Sequence, residues 1–293
     1  MAAASRTSQF AHVHKVLGKH YRPCSPDPQR SVLEHLLYGC VLEESPYDAA
    51  EEAFAALVHT FFDWNEVRVT SVAELAEVMS RLPEPRGAAR RLKAVLHGIF
   101  ESQFSFDLED IRKKNLGPAV KWLEKLDGTN GFTVGYVVQA ALGGHRIPID
   151  RATLKTLLIV DLITEKDAEE GDVPGLERAV AKSKGVEFGS LLHQLGADFA
   201  ANPYSPKVRK ILLELNPECK DRLPKRRTGK KAAENKSAAE RQARRDKKEA
   251  GEKAKPKKRT GSKKPDGENV GTTGAAASKK KSPAKKSTKR KPR

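Results

Sequence analysis

Two short stretches hold the residues whose types and spacing could do chemistry. The first is Asp127-Gly-Thr-Asn-Gly131, set between the apolar helical face Ala119–Leu126 and a second apolar run, Phe132–Leu142. A glycine turn between two short helices lets the backbone approach a ligand closely. It also leaves the amides of the turn and of the next helix's first residues unpaired. Together with the positive end of a helix dipole, such donors suit an anion of the phosphate type. The residues concerned are Gly128, Thr129, Asn130, Gly131, Phe132 and Thr133. The second stretch is Ile147-Pro-Ile-Asp150, which runs into Arg151-Ala-Thr-Leu. Asp150 stands where a helix N-cap belongs.

The stretch from Leu126 to Asp150 resembles, without a gap, the helix-hairpin-helix and catalytic element of the endonuclease III-like DNA glycosylases. The family's hairpin usually reads Leu-Pro-Gly-Val-Gly-x-Lys-Thr-Ala; here it is Leu126-Asp-Gly-Thr-Asn-Gly-Phe-Thr-Val134, and Ile149-Asp150 falls at the place of the family's Val-Asp. The resemblance implies an all-α, two-lobed glycosylase-like domain that binds double-stranded DNA. It implies that Asp150 stabilises positive charge on a sugar whose base has been extruded from the stack. An ordinary N-cap, worth about 1 kcal/mol, is a second role compatible with the first.

The departures from the family pattern carry as much weight. Asn130 replaces one hairpin glycine, and Asn tolerates positive φ better than most residues. Phe132 stands where bifunctional members carry the Lys nucleophile. It cannot form a Schiff base, so the resemblance implies a monofunctional enzyme without Lys-dependent lyase activity. Many relatives bind an iron–sulfur cluster through four cysteines near the C-terminus. Cys219 is alone there, with Ala200 near the first ligand position, so no cluster and no other cofactor is expected. The end of the helix at Tyr38-Gly-Cys-Val-Leu-Glu-Glu44 lacks the family's Gln. Cys40, Glu43 and Glu44 are its pocket candidates, Cys40 as a small apolar residue and the two glutamates as groups that repel phosphate. His145 and His193 have no partners at metal-ligand spacing, so no metal site is assigned.

Helical periodicity organises the rest. Apolar spacing predicts helices over Phe10–His20, from Asp27-Pro28 to Val41, Tyr47–Phe62, Ser71–Met79, Gly87–Phe100 and Asp107–Arg112. After the hairpin come Arg151–Val160, a helix opened by Asp172-Val-Pro-Gly, then Phe188–Phe199 and Ser205–Leu215, with Thr164–Asp172 as a charged connection. No period-2 strand pattern occurs. The domain expectation is an N-terminal arm and helix over 1–24, the helical domain over 25–220, and a tail over 221–293.

Of 293 residues, the last 73, Asp221–Arg293, hold 28 Lys+Arg against 8 Asp+Glu, a net +20. The first 220 hold 27 against 30, a net −3, so the overall +17 belongs to the tail. Such a tail cannot bury enough apolar surface to fold and is expected to be disordered. A flexible polycation binds polyanions without sequence preference, by counterion release. The basic residues Arg86, Arg90, Arg91 and Lys93 read more readily as a solvated face than as a binding site. Three cysteines, Cys24, Cys40 and Cys219, suit neither a disulfide framework nor zinc. No apolar leader and no membrane-length run is seen, so a monomeric, cytoplasmic, nucleoid-associated protein is expected. The rival expectations are a catalytically silent helix-hairpin-helix DNA binder and an RNA-binding protein led by its tail.

Overall fold

The computed structural model describes residues 5–225. Residues 226–293, nearly all of the predicted tail, lie outside the described residues. Fourteen α-helices and one 3₁₀ turn make up the described chain, with no strand among the described residues. In order they are α1 (Arg6–His20), α2 (Val32–Leu42), α3 (Tyr47–Thr60), α4 (Trp64–Val69), α5 (Val72–Val78), α6 (Pro85–Gln103) and α7 (Asp110–Lys113). Then follow α8 (Leu116–Leu123), α9 (Gly131–Ala140), α10 (Arg151–Ile159), α11 (Glu165–Glu170), α12 (Leu176–Ala179), α13 (Lys182–Ala201) and α14 (Pro206–Leu215). No described helix is long and apolar enough to cross a membrane.

Two hydrophobic cores give the domain two lobes. The first spans α2 to α9, around Leu36, Leu37, Leu57, Leu92, Leu96, Leu123 and Val137. The second joins Phe10, Val13 and Leu17 of α1 to Leu157, Phe188, Leu191, Leu195 and Leu212. The N-terminal helix, expected to be part of a separate arm, is thus built into the second core. The chain also stays packed past residue 220, because Cys219 and Leu223 are buried in that core. Burying such side chains is worth roughly 1.5–3 kcal/mol each, which explains why α1 does not stand apart.

Local chemistry sets the helix starts. Ser71 and Glu74 form the predicted capping box of α5. A second box, Ser31 with Glu34, starts α2 at Val32, four residues later than the Asp27-Pro28 signal suggests. The connection Thr164–Asp172 is itself helical: Thr164 and Asp167 cap α11, which buries no residue.

Candidate functional site: hairpin and aspartate

The hairpin lies between α8 and α9, as the glycine spacing requires. Gly128 has φ +88°, and a Cβ there would lie 2.7 Å from the Arg91 carbonyl oxygen and 2.8 Å from Ala94 Cβ. Only glycine fits, because the turn rests directly on α6. Thr129 donates its hydroxyl to the carbonyls of Leu123 and Leu126, closing the turn from below. Asn130 is the N-cap of α9 in extended conformation, φ −145°, and its side-chain oxygen accepts from the Thr133 amide at 2.9 Å. Positive φ at Asn130 is therefore not needed. Asn replaces the family's glycine by capping instead. The amides of Gly131 and Phe132 find no partner among the described residues, and Gly131 is exposed. An unpaired helix start of this kind suits an anion.

Glu43 holds the other side of the turn. Its Oε1 accepts from Asn130 Nδ2 at 2.7 Å. Its Oε2 pairs with Arg91 Nε at 3.0 Å, an ion pair rather than a well-aligned hydrogen bond. Arg91 also donates to the Cys40 carbonyl. Glu43 is thus a neutralised brace. Cys40 is fully buried, and burial pushes its thiol up to about 12, so it is an inert core residue. Glu44 sits at φ +55°, a left-handed conformation that costs a side chain energy. Its carboxyl is pushed upward by partial burial first, then by the neighbouring charges of Asp150 and Glu43.

Asp150 is in a different setting. It caps α10, with Oδ1 accepting from the Thr153 amide at 2.6 Å. Oδ2 lies 3.0 Å from His193 Nδ1, and both side chains are sealed from solvent, at 1% and 0% exposure. The His193 Nε2 lies 2.8 Å from the Ser45 carbonyl oxygen. Both ring nitrogens face oxygen acceptors. The Asp150 pKa lies below the usual carboxylate range: burial opposes the charge, but His193 and the Thr153 donors outweigh it. The His193 ring is stacked on Phe132, centroids 5.2 Å apart, and meets Tyr47 edge-on at 5.2 Å. From the other side, Gly196 presses so close that a Cβ would lie 2.3 Å from Thr153 Oγ1 and 3.0 Å from Asp150 Oδ1.

The structure therefore brings Asp150 and Phe132 together, but through His193, which sequence spacing could not reveal. His193 comes from α13 of the second lobe and is inserted between two aromatic rings of the first. A cavity of about 410 Å³ lies beyond Tyr47, lined by Tyr21, Cys24, Tyr47, Asp48, Gln194 and Asp198 among others; Asp150, Cys40, Glu43 and Glu44 are not on its wall. Among the described residues, no group of three or more His, Cys, Asp or Glu side chains is placed to hold a metal.

No family model matches this sequence, and no curated relative does. Solved structures do. The chain is similar to endonuclease III trapped in a covalent intermediate with DNA, at TM-score 0.50 and 14% identity over 74% of this chain and 99% of that one. It is similar to endonuclease III in a non-covalent DNA complex, at TM-score 0.50 and 17% identity over 75% and 99%. A thermostable thymine-DNA glycosylase also aligns, at TM-score 0.47 and 16% identity over 72% of this chain and 94% of that one. The described body thus has the endonuclease III-like helix-hairpin-helix glycosylase fold, at a sequence distance that marks it as divergent. At such identities the likeness speaks for the fold, and the chemistry has to be argued from the side chains.

Proposed function

We propose that this protein binds double-stranded DNA through the hairpin and leaves the N-glycosidic bond intact, with Asp150 acting as a structural pin for His193, the side chain that reaches from the second lobe into the first. One observation carries this reading: both Asp150 oxygens are engaged and the side chain has no solvent exposure. To stabilise a sugar cation, a carboxylate must lie beside the anomeric carbon. Here the two Asp150 oxygens are taken by the Thr153 amide and by His193. Phe132 also removes the amine route. The hairpin, by contrast, keeps its open amides. Both endonuclease III structures are complexes with DNA, which supports DNA as a ligand for this fold. The tail adds sequence-neutral, salt-sensitive affinity, and the protein works as a monomer on the nucleoid, without a cofactor. Preference for duplex DNA over RNA distinguishes this from a ligand chosen by the tail alone.

The 410 Å³ cavity beyond Tyr47 favours a second reading, a monofunctional DNA glycosylase acting through Asp150. The cavity is large enough for a base, and its Tyr47 wall packs edge-on against the His193 ring that holds the carboxylate. One experiment separates the two. Wild type and Asp150→Asn are incubated with duplexes carrying deaminated, alkylated and oxidised bases, followed by alkali. Intact strands in both samples support the binder; Asp150-dependent cleavage supports the enzyme.

A further inference from the structure

The four basic residues of α6 do not form one solvated face. Lys93 donates its ammonium to the carbonyls of Arg68 and Thr70 and so closes the end of α4. Arg91 is spent on Glu43 and the Cys40 carbonyl. Arg86 and Arg90 are exposed and make neither an ion pair nor a side-chain hydrogen bond among the described residues. Their charge is uncompensated.

Their place relative to the hairpin is set by close contacts. Asp127 lies over Gly98, where a Cβ would be 3.9 Å from its amide nitrogen. Gly128 lies over Arg91, Ala94 and Val95. Asn130 is joined through Glu43 to Arg91, whose guanidinium approaches Gly87, 3.5 Å from a Cβ placed there. The turn therefore runs along α6 toward its N-terminus, with Asn130 tied through Glu43 to the Arg91 guanidinium near the first two turns of that helix. Arg90 and Arg86 stand there, four and eight residues before Ala94, roughly 6 and 12 Å along the axis. The small residues Ala94 and Gly98 admit the turn, and the arginines continue the same i±4 ridge.

We propose that Arg86 and Arg90 form, with the Gly131 and Phe132 amides, one continuous track for the phosphates of a single DNA strand. This rests on the hairpin's role as a duplex-binding element and adds to it the side chains that extend the grip. Arg suits the task, because its guanidinium meets phosphate oxygens in a fixed fork. The track reads no bases and gives no sequence preference.

The test uses the full-length protein and a short undamaged duplex, with affinity measured across a salt series. Each lost phosphate contact lowers the slope of log K against log salt by about 0.9. Arg86→Gln/Arg90→Gln should lower it by about 1.8. Arg86→Lys/Arg90→Lys should restore most of the slope, because the charge returns. Arg81→Gln is the control for net charge: Arg81 is exposed but bound to Glu52 at 2.8 Å, and its loss should leave the slope unchanged. Equal effects of the Arg81 variant and the double variant would overturn the track. Gly131→Asp, which places a carboxylate over the open amides in free space, separates the two ideas. If it weakens binding while the double variant does not, the track fails and the hairpin stands. If neither changes binding, both fail. A loss confined to the double variant would also overturn the track as one joined with the hairpin. Circular dichroism of each variant confirms that the helices are intact.

Discussion

The hairpin and Asp150 belong to one stretch of chain, Phe132 and Asp150 being eighteen positions apart, yet their surroundings differ in opposite directions. At the hairpin, Asn130 sets the start of α9. Its side chain caps α9 through Thr133 and leaves the Gly131 and Phe132 amides open. At Asp150, the surrounding side chains close off the carboxylate. Phe132 supplies a ring for His193 to stack on, and Gly196 lets α13 approach until nothing fits between. A conserved-looking motif residue thus says little about chemistry until its neighbours are known. Binding to a backbone needs exposed donors and positive charge; bond cleavage needs an accessible, correctly placed group.

This contrast can be broken experimentally. The largest effect is expected at the pin itself. Asp150→Ala removes one partner of a buried pair and the cap of α10, and should cost about 3–5 kcal/mol of stability by chemical denaturation. A cost below about 1 kcal/mol would match a cap alone and contradict the pin. Next come the two glycines. Gly196→Ala overpacks the Asp150 cluster and should cost about 1–3 kcal/mol. Gly128→Ala strains the turn at positive φ and against the Arg91 carbonyl, with a cost of similar size. The two should differ in binding: Gly128→Ala weakens duplex affinity, whereas Gly196→Ala leaves it unchanged once the protein is folded.

The pH dependence sharpens the same point. The Asp150 pKa is depressed on folding, so its contribution is present above the unfolded value of about 3.9 and is lost as pH falls through the folded value. The stability gap between wild type and Asp150→Asn should be constant near neutrality and narrow below about pH 4 in urea titrations. The smallest effect is expected at Glu44, whose carboxyl is raised on folding. Its contribution is present at low pH and lost as pH rises. Glu44→Gln should therefore stabilise the protein slightly at neutral pH, by a few tenths of a kcal/mol, as befits a partly exposed group. Destabilisation would show that its charge is held by Arg151 and Lys155 more firmly than burial opposes it.

Much of this was legible in the sequence because it is local. The capping box at Ser71, the Asp150 cap and the Gly128 turn each depend on residues within four positions of one another, so spacing reveals them. The likeness of Leu126–Asp150 to one family placed the fold, and the solved structures agree. Short elements escaped. Helix α4 has six residues and buries only Val67, too little for periodicity to register. Helix α11 buries none, and only its Thr164–Asp167 capping pair marks it. The sequence sets the N-terminal helix apart from the 25–220 domain, because nothing in its own residues tells where its apolar face docks. Most telling is His193. It looked like an isolated histidine, and its partners Asp150 and the Ser45 carbonyl lie 43 and 148 residues away. No periodicity links positions so distant. Only the packing of α13 against α10 brings them together.

The division of roles between the two places is tested most directly by duplex affinity of full-length Gly131→Asp and Asp150→Asn side by side, at salt high enough to weaken the tail's contribution. A carboxylate over the open amides should cut affinity about tenfold, roughly 1.4 kcal/mol, while Asn at position 150 should leave it within about twofold of wild type. The reverse result, an unaffected Gly131→Asp and a weakened Asp150→Asn that still folds, would place the DNA at the aspartate and contradict the account.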